Sequence, residues 1–109
     1  MKSIVITGST RGIGFGLADA FLALGCQVTV SGRAQASVDR AVADLAARHG
    51  EAGRVAGFPC NVTRLEELQA LWDAARARFG QQPAARVEQQ GAHALGTAVN
   101  SEQIFRGHL

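Results

Sequence analysis

Tyrosine is absent from the 109 residues, and lysine occurs once, at Lys2. No phenol can donate a proton, and no tyrosine–lysine pair can be assembled within the chain. Cysteine is scarce: Cys26 and Cys60 lie far apart, and neither has a histidine or second cysteine at ligand spacing. That excludes a disulfide scaffold and a zinc site, and leaves two buried thiols in a reducing compartment as the expectation. No apolar run is long enough to span a membrane and no secretory leader can be drawn, so a soluble cytoplasmic chain without a membrane partner is expected. Charge of one sign never gathers either. Eleven basic residues are scattered among nine acidic ones for a net +2, without the clustered basic face that nucleic acid requires.

What is present is enough apolar matter for a core: 47% hydrophobic against 18% charged residues excludes a disordered chain. The length bounds it to one domain at most. Residues 2 to 6 form a short β-branched run that ends in Thr7-Gly8 and reads as a buried strand. Ile13, Leu17, Phe21 and Leu24 follow at helical spacing, with Ala20 between and Gly25 as the stop. Gln27-Val28-Thr29-Val30 is a second strand. Ser37 caps a second helix with Val38, Val42 and Leu45 on one face and Gly50 at its end. Arg54 to Phe58 is a weaker third strand, interrupted by Gly57 and followed by Pro59. Thr63 and Glu66 have capping-box spacing, and Leu68, Leu71, Trp72, Ala75 and Phe79 form a stripe closed by Gly80. From Gln81 to Ala92 the composition turns to glutamine, and no run of strand length and apolarity occurs. A last helix is read over 93–109, where Leu95, Val99, Phe105 and Leu109 share an arc.

The alternation of strand and helix predicts an α/β chain, and the first turn carries its chemistry. A pyrophosphate must come close to backbone, and a helix N-terminus offers unpaired N–H groups with partial positive charge. In Thr7-Gly8-Ser9-Thr10-Arg11-Gly12-Ile13-Gly14, Gly8 can take the tight turn. Gly12 can admit the phosphates, and Gly14 can let the helix lie close. The spacing is Gly-x-x-x-Gly-x-Gly, so the Gly-x-Gly-x-x-Gly fingerprint does not match, and no Lys-Ser or Lys-Thr follows to make a Walker loop.

Thr-Gly-x-x-x-Gly-Ile-Gly resembles the cofactor motif of the short-chain dehydrogenase/reductase family. The likeness continues through Val30-Ser31-Gly32-Arg33 and Cys60-Asn61-Val62-Thr63, over roughly the first 80 residues. It implies a partial Rossmann-like, doubly wound parallel sheet of three strands in order 3-2-1 with flanking helices. Residues 1–80 would be the dinucleotide-binding half, 81–92 a polar connector, and 93–109 a counterpart of a later family helix. The implied cofactor-binding residues are Thr7, Gly8, Ser9, Thr10, Arg11, Gly12, Ile13, Gly14, Ser31, Arg33, Asn61 and Val62. At Ser31-Gly32-Arg33 no carboxylate stands ready for ribose hydroxyls, and Arg33 with Arg11 can pair with a phosphate, so NADP(H) is expected over NAD(H). Asn61 stands where the family usually has an aspartate near the adenine, and its amide can both donate and accept.

The family's fourth strand with its Asn-Asn-Ala-Gly-like end, its serine and its Tyr-x-x-x-Lys pair are not found. Leu95-Gly96-Thr97 onward resembles a later family helix, with His93 where that helix has an asparagine. Neither His93 nor Ser101 is nominated as a substitute, so the expected catalytic set and metal set are both empty. Without a fourth strand, the first would be an unprotected edge, and self-association is expected. The readings that remain are three: the cofactor-binding portion of a short-chain oxidoreductase, inactive alone; a non-catalytic dinucleotide-binding or interaction module; and a decayed product without function.

Overall fold

The computed structural model describes residues 1–50, 52–81 and 83–87. The final helix read over 93–109, together with His93 and Ser101, lies outside them. In chain order the elements are β1 (Ser3–Ile6), α1 (Gly12–Ala23), β2 (Gln27–Gly32), α2 (Gln35–His49), a single 3-10 turn (Ala52–Arg54), β3 (Val55–Pro59), α3 (Leu65–Phe79) and β4 (Ala85–Val87). The strands form one sheet in the order β3-β2-β1-β4. Every pairing is parallel, with Ile4 against Val28 and Ala85, and Val30 against Gly57. Parallel pairing brings all the strand ends that lead into helices to one edge, where ligands of open α/β sheets sit.

β1 is buried along its whole length, as a central strand covered on both faces must be. Strand alternation divides its side chains between two cores. Ile4 and Ile6 join Val28, Val30, Phe21, Leu22, Ala41 and Leu45 under α1 and α2. Val5 joins Cys60, Leu68, Leu71 and Ala75 under α3. Burying one such side chain is worth about 1.5–3 kcal/mol, and these two layers hold the sheet's edge in place.

Gly57, read as a weakness in β3, is a packing requirement: a Cβ there would stand 2.5 Å from Val38 Cγ1 and 2.6 Å from Val42 Cγ2. α2 therefore lies directly on the strand. Gly50 and Gly80 end α2 and α3 in the left-handed conformation, their N–H groups donating to Ala46 O and Arg76 O. α1 stops at Gly25, which has φ of 90° and whose N–H donates to Leu22 O at 3.0 Å, and Arg54 Nη1 also donates there, to the carbonyls of Leu22 and Cys26, both at 2.9 Å.

Five readings need correction. Ile13 and Leu24 are not core residues; they are 76% and 53% exposed, and Gly14, Ala18, Phe21 and Leu22 form the buried face of α1. Ile13 is the second residue of α1 and Leu24 the residue after its last, so both stand at the helix ends and off the buried face. Ser37 does not cap α2, which begins two residues earlier after Ala34. Thr63 and Glu66 do not form a capping box. α3 starts at Leu65, and its entry is tied instead by Glu67, whose Oε1 accepts from Asn61 N at 2.8 Å. A fourth strand exists within the glutamine-rich stretch, since Ala85, Arg86 and Val87 pair with Ile4, Val5 and Ile6. Consequently β1 is not an edge. Among the described residues β4 takes that place, docked by Ala84 N to Ser3 O at 2.7 Å and Thr7 N to Val87 O at 2.8 Å.

Candidate functional site

The turn between β1 and α1 is held from below by Ser9. Its side chain is fully buried, and its Oγ donates to Ile6 O at 2.7 Å while accepting from Ser31 N at 2.9 Å. Its own N–H donates to Ser31 O at 2.9 Å. The turn is thus bolted to β2 on both sides of one hydroxyl. Thr7 does the same on the other flank, donating through N and Oγ1 to Val87 O. Thr10 rests on the end of β2, where a Cβ added to Gly32 would come within 2.7 Å of Thr10 Cγ2.

On that base the three glycines have distinct duties. Gly8 and Gly12 carry φ of 57° and 65°, where a Cβ is strained. Gly14 is inside α1, but a Cβ there would sit 2.4 Å from Gly8 O and 2.9 Å from Ser9 Cα. The helix start is therefore pressed against the turn's own backbone. A Cβ at Gly12 would meet nothing within 4 Å, because that position opens outward. It opens into a cavity of about 540 Å³ lined by Gly8, Thr10, Arg11, Gly12, Ile13, Gly14 and Arg33. Arg11 is the residue before the helix and supplies no side-chain cap, so the first-turn N–H groups are left for a ligand. Ile13 presents its side chain to the opening.

This is a site built for an anion with an organic body: free amides, a helix's positive end, two guanidinium groups, one exposed aliphatic side chain and no carboxylate in the lining. A pyrophosphate fits the cradle that a Cβ at Gly12 would fill. Seven of the expected residues line it. Thr7 and Ser9 stand beneath as the scaffold just described. Ser31 lies under the turn, 1% exposed, with its Oγ unpartnered among the described residues. Asn61 and Val62 begin the β3–α3 connection. Asn61 Oδ1 accepts from Thr63 N at 3.0 Å and Thr63 Oγ1 at 2.7 Å, so its carbonyl end is committed to the loop. Val62 packs against the α3 core.

Ser37 and Arg40, missed in the sequence, line a smaller hollow beside the first, together with Thr10 and Arg11. Their spacing on one helix face is the signal that was available. Among the described residues no group of three or more His, Cys, Asp or Glu side chains is placed to hold a metal. Cys26 and Cys60 form no disulfide; Cys60 is buried as expected, whereas Cys26 is only half-buried, and burial pushes its thiol up against weaker downward pulls from Lys2, Arg54 and the N-terminus. No helix of the described residues is long and apolar enough to cross a membrane.

Comparison with known proteins agrees with this geometry. The family model described as short chain dehydrogenase matches residues 2–101. Chlorophyll(ide) b reductase NOL of Oryza sativa subsp. japonica is 42% identical over 77 residues, which cover 71% of this chain and 22% of that protein. The human mitochondrial dehydrogenase/reductase SDR family member 2 is 45% identical over 67 residues, 62% of this chain and 23% of the relative. Among solved structures, an actinorhodin polyketide ketoreductase with NADPH superposes with a TM-score of 0.72 at 26% identity, over 81% of this chain and 32% of that one. The chain thus spans about a fifth to a third of the length of these relatives. A glycine turn opening a helix over a parallel sheet, matched in sequence along nearly the whole chain, places this protein in the short-chain dehydrogenase family, of which it carries the N-terminal portion.

Proposed function

We propose that this chain is the NADP(H)-binding portion of a short-chain oxidoreductase and that it does not turn over substrate by itself. The observation that carries the reading is the uncapped start of α1, opening on a cavity whose charged side chains, among the described residues, are Arg11 and Arg33. Gly8, Gly12, Gly14 and the first-turn amides would hold the pyrophosphate, with Ile13 against the organic part of the ligand. Asn61 and Val62 would border the adenine, Asn61 through its amide NH₂ because its carbonyl is engaged. Arg33, following β2, and Arg11 favour a 2′-phosphate over bare ribose hydroxyls. When bound, the nicotinamide supplies hydride transfer to or from an alcohol or carbonyl carbon. This chain has no tyrosine to complete the proton side of that exchange.

The test is titration of the 109-residue chain with NADPH and NADH, followed by assay against a panel of ketones and alcohols. Saturable binding tighter for NADPH, without turnover, is the expected result. Equal affinity removes the NADP preference, turnover removes the inactivity, and no binding removes the reading as a whole. A non-catalytic dinucleotide-binding or interaction module is the second reading, favoured by the missing tyrosine. Two further elements belong to the proposal. β4 is bordered by a strand on one side only among the described residues, which suits self-association through its open edge, seen as concentration-dependent sedimentation. Two cysteines without a disulfide between them suit a reducing compartment, here the cytoplasm, while two of the relatives are named as chloroplastic and mitochondrial.

A further inference from the structure

Away from the cavities, the last turn of α2 is fastened to the middle of α1 by a cluster of charged groups. Asp19 of α1 uses both carboxylate oxygens in it: Oδ1 accepts from His49 Nε2 at 2.7 Å and Oδ2 from Arg48 Nη1 at 3.4 Å. Arg48 is held from two further sides, its Nε donating to Asp44 Oδ1 at 3.1 Å and its guanidinium lying 5.0 Å from the centroid of the Phe15 ring. Phe15 and Asp19 are four residues apart and so share one face of α1. The His49 side chain is 16% exposed against 48% for Arg48, so the imidazole is the sheltered member. An ionised carboxylate can only accept. Nε2 therefore carries a hydrogen in this contact, and the proton that comes and goes near neutrality does so at Nδ1.

We infer that Asp19 and His49 form a proton-dependent clamp that fastens α1 to α2 more firmly as the pH falls. With Nδ1 unprotonated, a neutral ring donates to the carboxylate. With Nδ1 protonated, a cation meets Asp19 in the last turn of α2, where the helix dipole also favours positive charge. The unfolded chain offers neither partner, so the added stability is complete below about pH 6 and fades as the pH rises toward about 8. Two cations oppose the second charge, Arg48 on α2 itself and Arg54 on the 3-10 turn packed against it. Each already has acceptors of its own: Asp44 and Asp19 for Arg48, the carbonyls of Leu22 and Cys26 for Arg54. β2 and β3, which also lie under α2, carry no charged residue. The clamp works with or without a nucleotide, and its test needs no ligand.

The test is thermal melting at low salt, at about pH 5.5 and about pH 8, of the unaltered chain, Asp19→Asn, His49→Gln, the double variant of these two, Arg48→Gln and Glu51→Gln. His93 and His108 are common to all of them, so their titration cancels in the comparison. The gain in melting temperature on acidification should be about 4 °C larger in the unaltered chain than in His49→Gln. Asp19→Asn should lose the same excess, and the double variant should lose no more than either single one. Arg48→Gln should melt lower at both pH values and keep the excess, and Glu51→Gln, which alters the acid next in sequence, should keep it too. His49→Gln leaves an N–H donor for the carboxylate and removes only the titratable ring, so it decides the matter should Asp19→Asn not fold. An excess that is missing from the unaltered chain, or that survives either His49→Gln or Asp19→Asn, overturns the clamp. An excess abolished by Glu51→Gln or by Arg48→Gln assigns the response to another pair and overturns it as well.

Discussion

The turns after β1 and β2 deliver two helix starts to the same sheet edge, and neither start has a side-chain cap. They are built in opposite ways. The first is made of backbone: two residues at positive φ, a helix pressed to 2.4 Å of where a Cβ would go, and a buried serine tying it to the neighbouring strand. The second, Arg33-Ala34, holds no left-handed residue and exposes its side chains. A pyrophosphate common to every dinucleotide calls for the rigid backbone form, which no side-chain exchange can retune. Discrimination between ribose ends calls for exposed charge, which a single substitution can reverse at little cost in stability.

Gly14→Ala strikes the backbone-built turn hardest. The added methyl meets Gly8 O and Ser9 Cα, backbone atoms that cannot swing aside, and the cost is about 3 kcal/mol. A fall in melting temperature of well over 10 °C for a domain of this size, with loss of both NADPH and NADH binding, is expected. An unchanged melting curve would show that α1 does not lie as close to the turn as described.

Ser9→Ala separates scaffold from site. It leaves Ser31 N–H and Ile6 O without their buried partner, a loss of about 2 kcal/mol. Ser9 does not line the cavity, so the folded protein should keep its preference between nucleotides even as the denaturation midpoint drops. A changed NADPH-to-NADH ratio with unchanged stability would reverse the assignment and make Ser9 a ligand contact.

Gly14 and Ser9 also show what sequence could and could not tell. The turn, β2, the Gly50 and Gly80 helix ends and the α3 stripe announce themselves because each depends on residues within a few positions of one another. Helix starts were harder. α2 and α3 begin without side-chain caps, so capping-type residues nearby pointed to the wrong places, and the real tie at α3 joins Asn61 N to Glu67. β4 was illegible for a different reason. Three residues, Ala85-Arg86-Val87, have no strand pattern of their own, and they are ordered by β1 and Thr7 some 80 positions away, as the Thr7–Val87 bond shows. Within the site, the turn geometry of Gly8 and Gly12 and the close approach at Gly14 could be read from spacing, whereas the burial of the Ser9 and Thr7 side chains beneath the turn could not, because side-chain direction within a turn is set by the strands on either side. Ile13, on the period of the α1 stripe, proved exposed, since helical period alone cannot tell which residues of a first turn reach the core.

Arg33→Asp addresses the side-chain-built turn, and its effect on folding should be the smallest of the three. Arg33 is exposed and lines the cavity without an ion-pair partner among the described residues, so stability should stay within about 0.5 kcal/mol. Binding should respond instead, because the change replaces an attraction for a phosphate with a repulsion and gives ribose hydroxyls an acceptor. NADPH affinity should fall at least tenfold at low salt while NADH holds or improves. Raising the ionic strength should shrink that ratio, as screening acts on exposed charge. A ratio that does not move would take Arg33 out of the site, leave Arg11 to account for any preference, and dissolve the contrast between a fixed turn and a tunable one.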